Sequence, residues 1–243
     1  MISVLVPVHR LPLAWFNQCL ASIEYDLALL ENAHPDQPPA EIVIVNDGSD
    51  QTDLLNYLEG RSKQPRYRVV HSASNVGIPA ALNLGIEACR HELIARVDSD
   101  DITLPGRFLA QWELMQTTPS IDVLGTALNY YMQQPGGAWA AGQLVRHPDV
   151  ITREIGLRSR WFMNHGTVMY RKSVLTAVGM YDAGLRGYSE DFELWIRLLR
   201  HGRVLWNLPS SYYLLRIRTG SASQGFNAAN DAFLRTTQAT LRE

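Results

Sequence analysis

Four short runs rich in apolar and β-branched residues, Ile2 to Val6, Glu41 to Val45, Arg68 to His71 and Leu93 to Val97, mark the first hundred positions, and helical spacing fills the gaps. Between the first two runs Phe16, Leu20, Ile23, Leu27 and Leu30 recur at intervals of three and four, which predicts an amphipathic helix from Leu13 to Leu30. Pro79 to Cys89 repeats the pattern after the third run. Strands joined by helical crossovers run parallel with helices on both faces, and such sheets take ligands beyond the carboxyl ends of their strands. Ala33 to Pro39 reads as a surface loop, and Gln133 to Trp139 as Gly/Pro punctuation between two strand-like runs. The alternation then gives way to a helix near Asp149 to Leu157, a strand at Gly166 to Tyr170 and a charged helix opening near Ser189. With no repeat and no Ser- or Pro-rich linker, the pattern predicts one α/β domain with a nucleotide-type first half and a more variable second half.

Composition narrows the classes. At 243 residues, 46% hydrophobic and 19% charged, the chain can bury a sizeable core and is neither collagen-like nor disordered. A formal charge of -2 sets up no global field toward nucleic acid or an anionic membrane, so an anionic partner has to be met locally. All basic residues except Lys63 and Lys172 are arginines, whose forked guanidinium suits phosphates and carboxylates; codon bias accounts for the imbalance equally well. Cys19 and Cys89 form no CxxC pair, which points to a reducing compartment. MISVLVPVHR has no positive leader and Pro7 closes its apolar run, so it is expected to be a strand and not a signal peptide. No apolar stretch approaches the roughly 20 residues of a membrane span. The expectation is a cytoplasmic protein, at most peripheral at a membrane.

Four segments carry candidate chemistry. In RVDSDD, Arg96 to Asp101, three carboxylates crowd the end of an apolar strand. Mutual repulsion raises their pKa values unless a cation neutralises them, and Mg²⁺ or Mn²⁺ with oxygen ligands suits the set. Asp98 and Asp100 share a face in extended backbone, while an N-cap for a helix opening near Pro105 accounts for the same residues. In EIVIVNDGSDQTD, Ser49 or Asp50 reads as an N-cap; Asp47, at the strand tip, either accepts hydrogen bonds from a ligand or makes an Asx-turn. In SNVGIPAALNLG, Asn75 and Gly77 permit a tight turn into a helix start that can approach an anion. In GYSEDFELWIRLLRHG, Glu190 and Asp191 favour the helix dipole with Ser189 as cap, and a carboxylate held there beside a cleft is equally a general base. His9, His147, His165 and His201 show no metal-ligand spacing. GxGxxG, GxxxxGK[ST] and GxSxG are absent, against dinucleotide oxidoreductases, P-loop NTPases and serine hydrolases.

Taken in order, VPVHR, VNDGSDQT, NVGIPAALNLGI, RVDSDD, NHGTVMYRKSVL, SEDFELWIRL and LLRIRTGSAS resemble the family 2 glycosyltransferases of GT-A fold, over about 220 residues. The resemblance implies a Rossmann-like, mostly parallel sheet flanked by helices in a single domain, with residues 1–101 as nucleotide-binding half and 102–243 as acceptor-binding half. It implies inverting transfer of a sugar from a nucleoside-diphosphate donor, expected to be a UDP-sugar, to a glycan or lipid-linked acceptor in surface polysaccharide or lipid-linked glycan synthesis. Peripheral contact with a membrane-bound acceptor and no nucleic-acid partner follow from the same reading. Matching motifs place Pro7, Val8 and His9 along the nucleoside, Asp47 on the base, and Asn75 and Gly77 in the turn near the nucleotide. They place Asp98 near the ribose, Asp100 on the metal with Asp98 and Asp101 assisting, Asp191 as base, and Glu190 and His165 on the acceptor side. One departure stands out: relatives often carry a metal-completing His where this chain has Arg218, a residue suited instead to the diphosphate. Two other classes fit parts of the pattern, a sugar-nucleotide pyrophosphorylase and a non-catalytic nucleotide-sugar binding module.

Overall fold

The computed structural model describes residues 1–134, 136–185, 189–217 and 228–242. In chain order the elements of the first half are β1 (Ile2–Val8), α1 (Leu13–Ala33), β2 (Glu41–Asn46), α2 (Thr52–Ser62), β3 (Tyr67–His71), α3 (Ile78–Ala88) and β4 (Leu93–Arg96). They are followed by β5 (Ile102–Thr103), α4 (Arg107–Thr117), β6 (Val123–Gln133), β7 (Trp139–Val145), β8 (Val150–Ile151), α5 (Arg153–Arg158), β9 (Met169–Arg171), α6 (Lys172–Ala177), α7 (Glu190–Arg200), β10 (Leu205–Ile217) and α8 (Ala228–Ala239).

One sheet runs β3-β2-β1-β4-β9-β6-β10-β5, with β7 added to β6 and β8 to β10. Its first four strands are parallel, as the helical crossovers require. Beyond them β9 enters antiparallel between β4 and β6, and β10 lies parallel to β6, so the second half makes the sheet mixed. Alternation along β1 explains why its sequence reads as a continuous apolar run: Val4, Val6 and Val8 face one core and Leu5 the other. The first core receives the apolar stripes of α1, α2 and α4; the second receives those of α3, α6 and α7.

The four predicted strands and the helices α1 and α3 fall where the periodicity put them, with ends displaced by at most three residues. Three expectations need correcting. Residues 165–167 form a 3-10 turn, so the strand read as Gly166 to Tyr170 is only Met169–Arg171. The helix expected from Asp149 begins at Arg153, because Val150 and Ile151 pair with β10. The carboxylates of RVDSDD do not cap the helix after Pro105. That helix starts at Arg107 behind Gly106 at φ 87°, and its end is capped from a distance by Asp26 of α1. The buried Asp26 carboxylate accepts the N–H groups of Gly106 (2.5 Å) and Phe108 (2.9 Å).

Candidate active site

The parallel strands β2, β1 and β4 end side by side, and their loops bring the first candidate residues together. Pro7 and Val8 are buried at the end of β1, and the Val8 carbonyl accepts the Asp47 N–H at 2.9 Å. His9 lies 2.8 Å through Nδ1 from the Asp47 carbonyl oxygen. The Asp47 side chain, 3% exposed, accepts the N–H groups of Val76 at 2.7 Å and Gly77 at 3.0 Å. Both its oxygens are thus engaged in fastening the β3–α3 loop, with Asn75 exposed on that loop and Gly77 at φ 89° starting α3. Gly48, at φ 66°, lets the loops close: a Cβ there would lie 2.3 Å from the Ser74 carbonyl carbon. The expected caps do not form. Gln51 is the first-turn boundary of α2 without a side-chain cap, and Asp50 pairs with Arg10 at the surface.

A second cluster surrounds the end of β4. Arg96, 3% exposed, holds both oxygens of Asp98 in a two-pronged ion pair. Burial opposes the Arg96 charge, but Asp98 more than offsets it and keeps the guanidinium ionised. Behind it the buried Arg107 donates to the Arg96 carbonyl at 2.9 Å and braces the strand end. The Asp98 N–H donates to the Tyr213 hydroxyl at 3.0 Å. Asp101 is buried; one oxygen accepts the Arg216 N–H at 2.7 Å and the other has no hydrogen-bond partner. Burial, then the charges of Asp98 and Asp100, push the Asp101 carboxyl well above its ordinary range.

Residues 165–167 bridge this cluster to the start of α7. Gly166 is required there, since a Cβ would lie 2.7 Å from the Tyr213 hydroxyl oxygen and 3.0 Å from Asp98 Oδ2. On its other side His165 Nε2 is 2.8 Å from the Tyr181 hydroxyl, and Nδ1 is 3.7 Å from Glu190 Oε1. Burial, reinforced by Arg96, drives the His165 pKa well below its usual value, so the ring is neutral at pH 7. Burial and the adjacent Asp191 raise Glu190 to about 7. Burial also raises Asp191, one oxygen of which accepts the Phe192 N–H at 2.7 Å. Ser189 occupies the cap position at φ 62° but makes no side-chain cap bond, so the first turn of α7 is not held as the sequence suggested.

The acceptor-side candidates Glu190 and His165 therefore meet, with Asp191 next to Glu190, and Asp98 reaches them through Gly166 and Arg96. Sequence reasoning gave no part to Arg96, Tyr181, Tyr213 or Arg216. Arg96 carries a readable signal, a cation two residues before Asp98 and hence on the same face of the strand; the tyrosines and Arg216 lie more than 80 residues away from Asp98 and carry none. Arg218 falls outside the described residues. Among the described residues no three His, Cys, Asp or Glu side chains gather in an arrangement able to hold a metal by themselves. The unpartnered oxygen of Asp101 next to Asp100 fits an ion that brings most of its ligands with it, as Mg²⁺ bound to phosphates does.

The sequence model for Glycosyl transferase family 2 matches residues 3–179. The amylovoran biosynthesis glycosyltransferase AmsE of Erwinia amylovora is 32% identical over 193 residues, which are 79% of this chain and 70% of that protein. The UDP-Gal:alpha-D-GlcNAc-diphosphoundecaprenol beta-1,3-galactosyltransferase of Escherichia coli is 26% identical over 68% of this chain and 58% of its own length. Among solved structures, S. aureus TarS 1–349 in complex with UDP-GlcNAc superposes with a TM-score of 0.72 at 19% identity, covering 99% of this chain and 66% of that one. At that identity the likeness speaks to the fold, and it agrees with the expected α/β GT-A arrangement. This chain spans 58% to 70% of the length of these proteins.

Proposed function

The chain belongs to glycosyl transferase family 2, and from that premise we propose that it transfers a sugar, with inversion, from a nucleoside-diphosphate donor to an acceptor hydroxyl. The names of the relatives, an amylovoran biosynthesis enzyme and a galactosyltransferase acting on a diphosphoundecaprenol-linked sugar, support surface polysaccharide or lipid-linked glycan assembly as the setting. The galactosyltransferase is named for UDP-Gal and the TarS structure holds UDP-GlcNAc, which supports a UDP-sugar as the donor. No helix among the described residues is long and apolar enough to cross a membrane.

The observation that carries the reading is the Gly166 bridge, which sets Asp98 of the donor side against the His165–Glu190–Asp191 group within one packed unit. In this proposal Pro7, Val8, His9 and the Asp47-fastened Asn75–Gly77 turn line the nucleoside. Asp98, fixed by Arg96, faces the ribose; Asp100 and Asp101 hold a divalent cation, Mn²⁺ or Mg²⁺, which when bound supplies positive charge toward the departing diphosphate. Asp191 takes the proton of the acceptor hydroxyl as the sugar passes through an oxocarbenium-like state. Glu190 and the neutral His165 orient that hydroxyl, and a Glu190 carboxyl near pKa 7 can donate as well as accept. Inversion needs one base, whereas a double displacement would need a nucleophilic carboxylate on the donor's other face.

Thermal shift with UDP-, GDP- and dTDP-sugars, with and without Mn²⁺, identifies the nucleotide, because a ligand of the folded state raises its melting point. No shift with any donor would overturn the donor site. Asp191→Asn should retain donor binding and lower kcat by about 10²- to 10⁴-fold. Unimpaired transfer by that variant would remove Asp191 from the role of base.

A further inference from the structure

Arg216 stands one residue before the end of β10 and is 3% exposed. Its guanidinium carbon lies 4.6 Å from the ring centre of Trp139, 5.0 Å from that of Trp15 and 5.1 Å from that of Tyr131. The rings support one another: Trp139 and Tyr131 are 5.2 Å apart, and Trp139 meets Trp15 edge-on at 6.1 Å. α1 supplies one wall of this box, and the β6–β7 hairpin supplies the other two. From inside it Nε donates to the Asp100 carbonyl at 2.7 Å and a terminal nitrogen to Gln18 Oε1 at 2.8 Å. The backbone N–H of the same residue donates to the Asp101 carboxylate at 2.7 Å. One residue thus grips two successive positions of the acidic loop, through the main chain at Asp100 and the side chain at Asp101.

We propose that Arg216 is the positioning residue of the acidic loop: clasped by Trp15, Tyr131 and Trp139, it fixes the backbone that carries the Asp100 carboxylate, and the Asp101 carboxylate, in the arrangement that receives a divalent cation. This rests on the donor-site reading above and extends it to the hairpin. The guanidinium does not itself serve the diphosphate, because rings cover its faces, two of its nitrogens are committed and it is shielded from solvent. Each ring presents its electron-rich face to the guanidinium and so helps to hold it in place. A lysine at this position cannot replace the planar fork that stacks and donates at once. The hairpin therefore supports the cation site through its hold on Arg216.

The test is calorimetric binding of UDP, or whichever of GDP and dTDP the wild-type protein binds, in Mn²⁺ and in EDTA, with free Mn²⁺ followed by its spin-resonance signal. Arg216→Met and Arg216→Lys should each weaken the Mn²⁺-supported affinity about tenfold, and Trp139→Ala about threefold, with affinity in EDTA unchanged. Trp139 is half-buried at the hairpin, so its variant carries the test where an Arg216 variant fails to fold. An equal loss in EDTA would mean that Arg216 contacts the diphosphate, and would overturn the positioning role. Unchanged Mn²⁺-supported affinity in folded Trp139→Ala and Arg216→Lys would overturn it as well. Wild-type binding with no gain from Mn²⁺ would defeat this inference and leave the donor reading standing; no nucleotide binding under either condition would defeat both.

Discussion

Glu190→Gln should abolish a loss of stability that the wild-type protein suffers as pH rises through the neutral range. The Glu190 side chain is 14% exposed and stands beside Asp191 and a neutral His165. Burial and the neighbouring carboxylate move it from an ordinary 4.5 to about 7. In the unfolded chain the carboxyl loses its proton near 4.5, whereas the folded protein retains it to about 7, so the folded state binds more protons in between. Stability from this group is therefore complete below the lower value and is lost as pH climbs to the upper one. At roughly 1.4 kcal/mol per unit the loss amounts to about 3 kcal/mol. Glutamine keeps the shape and never ionises, so the variant lacks this pH dependence. Urea unfolding of both proteins from pH 5 to pH 8, followed by circular dichroism, reads it directly. The glutamine variant should gain about 2 to 3 kcal/mol relative to wild type across that range. Profiles parallel to within about 0.5 kcal/mol would refute the argument, because an unperturbed surface carboxylate gives no more than that.

Two further substitutions probe the frame. Gly166→Ala should cost about 1 to 3 kcal/mol in urea unfolding, because the new methyl meets Tyr213 and Asp98, and it should depress transfer more than donor binding. Asp26→Ala should cost about 2 kcal/mol, lowering the melting temperature by about 4 to 8 °C, since it strands the N–H groups of Gly106 and Phe108 inside the protein. Retention of the wild-type melting point in either variant would show that the contact is absent in solution.

The first half of the fold was legible because its signals are local. Val4, Leu5 and Val6 need cover on both faces, and that need is written in consecutive residues. The candidate site was legible only in its placement: Asp47, Asp98 and Glu190 sit at the ends of strands or the start of a helix, where chain geometry alone makes a polar residue conspicuous. What stayed hidden is long-range. Asp26 caps a helix 80 residues downstream from within an apolar stripe, and nothing around it suggests a distant donor pair. Ser189 looked like a cap because of its type, but its left-handed backbone makes no side-chain cap bond. The strand read from Gly166 onward shortened because Gly166 is needed at a close approach to Tyr213, a partner that periodicity cannot reveal.

The charge pattern joins these observations to the near-neutral composition. Asp98, Asp100 and Asp101 look in sequence like an unshielded acidic cluster, yet Arg96 holds the first and Arg216 is fastened to the other two. Three acidic groups face two guanidiniums, and burial with the neighbouring carboxylates pushes the Asp101 carboxyl well above its ordinary range, so the loop carries an uncompensated negative charge only when Asp101 gives up its proton. A bare divalent cation gains little from a single uncompensated charge, and a diphosphate arriving alone meets repulsion from the same charge. Arriving together they neutralise each other as well as the loop. On the proposed reading each therefore raises the affinity of the other by the same factor, as linkage requires. On that reading an anion is met locally without a basic patch, in keeping with the formal net charge of -2. The Arg96 guanidinium is spent on the Asp98 carboxylate, and that of Arg216 on the Asp100 carbonyl and Gln18, so neither is left free for a ligand's phosphates.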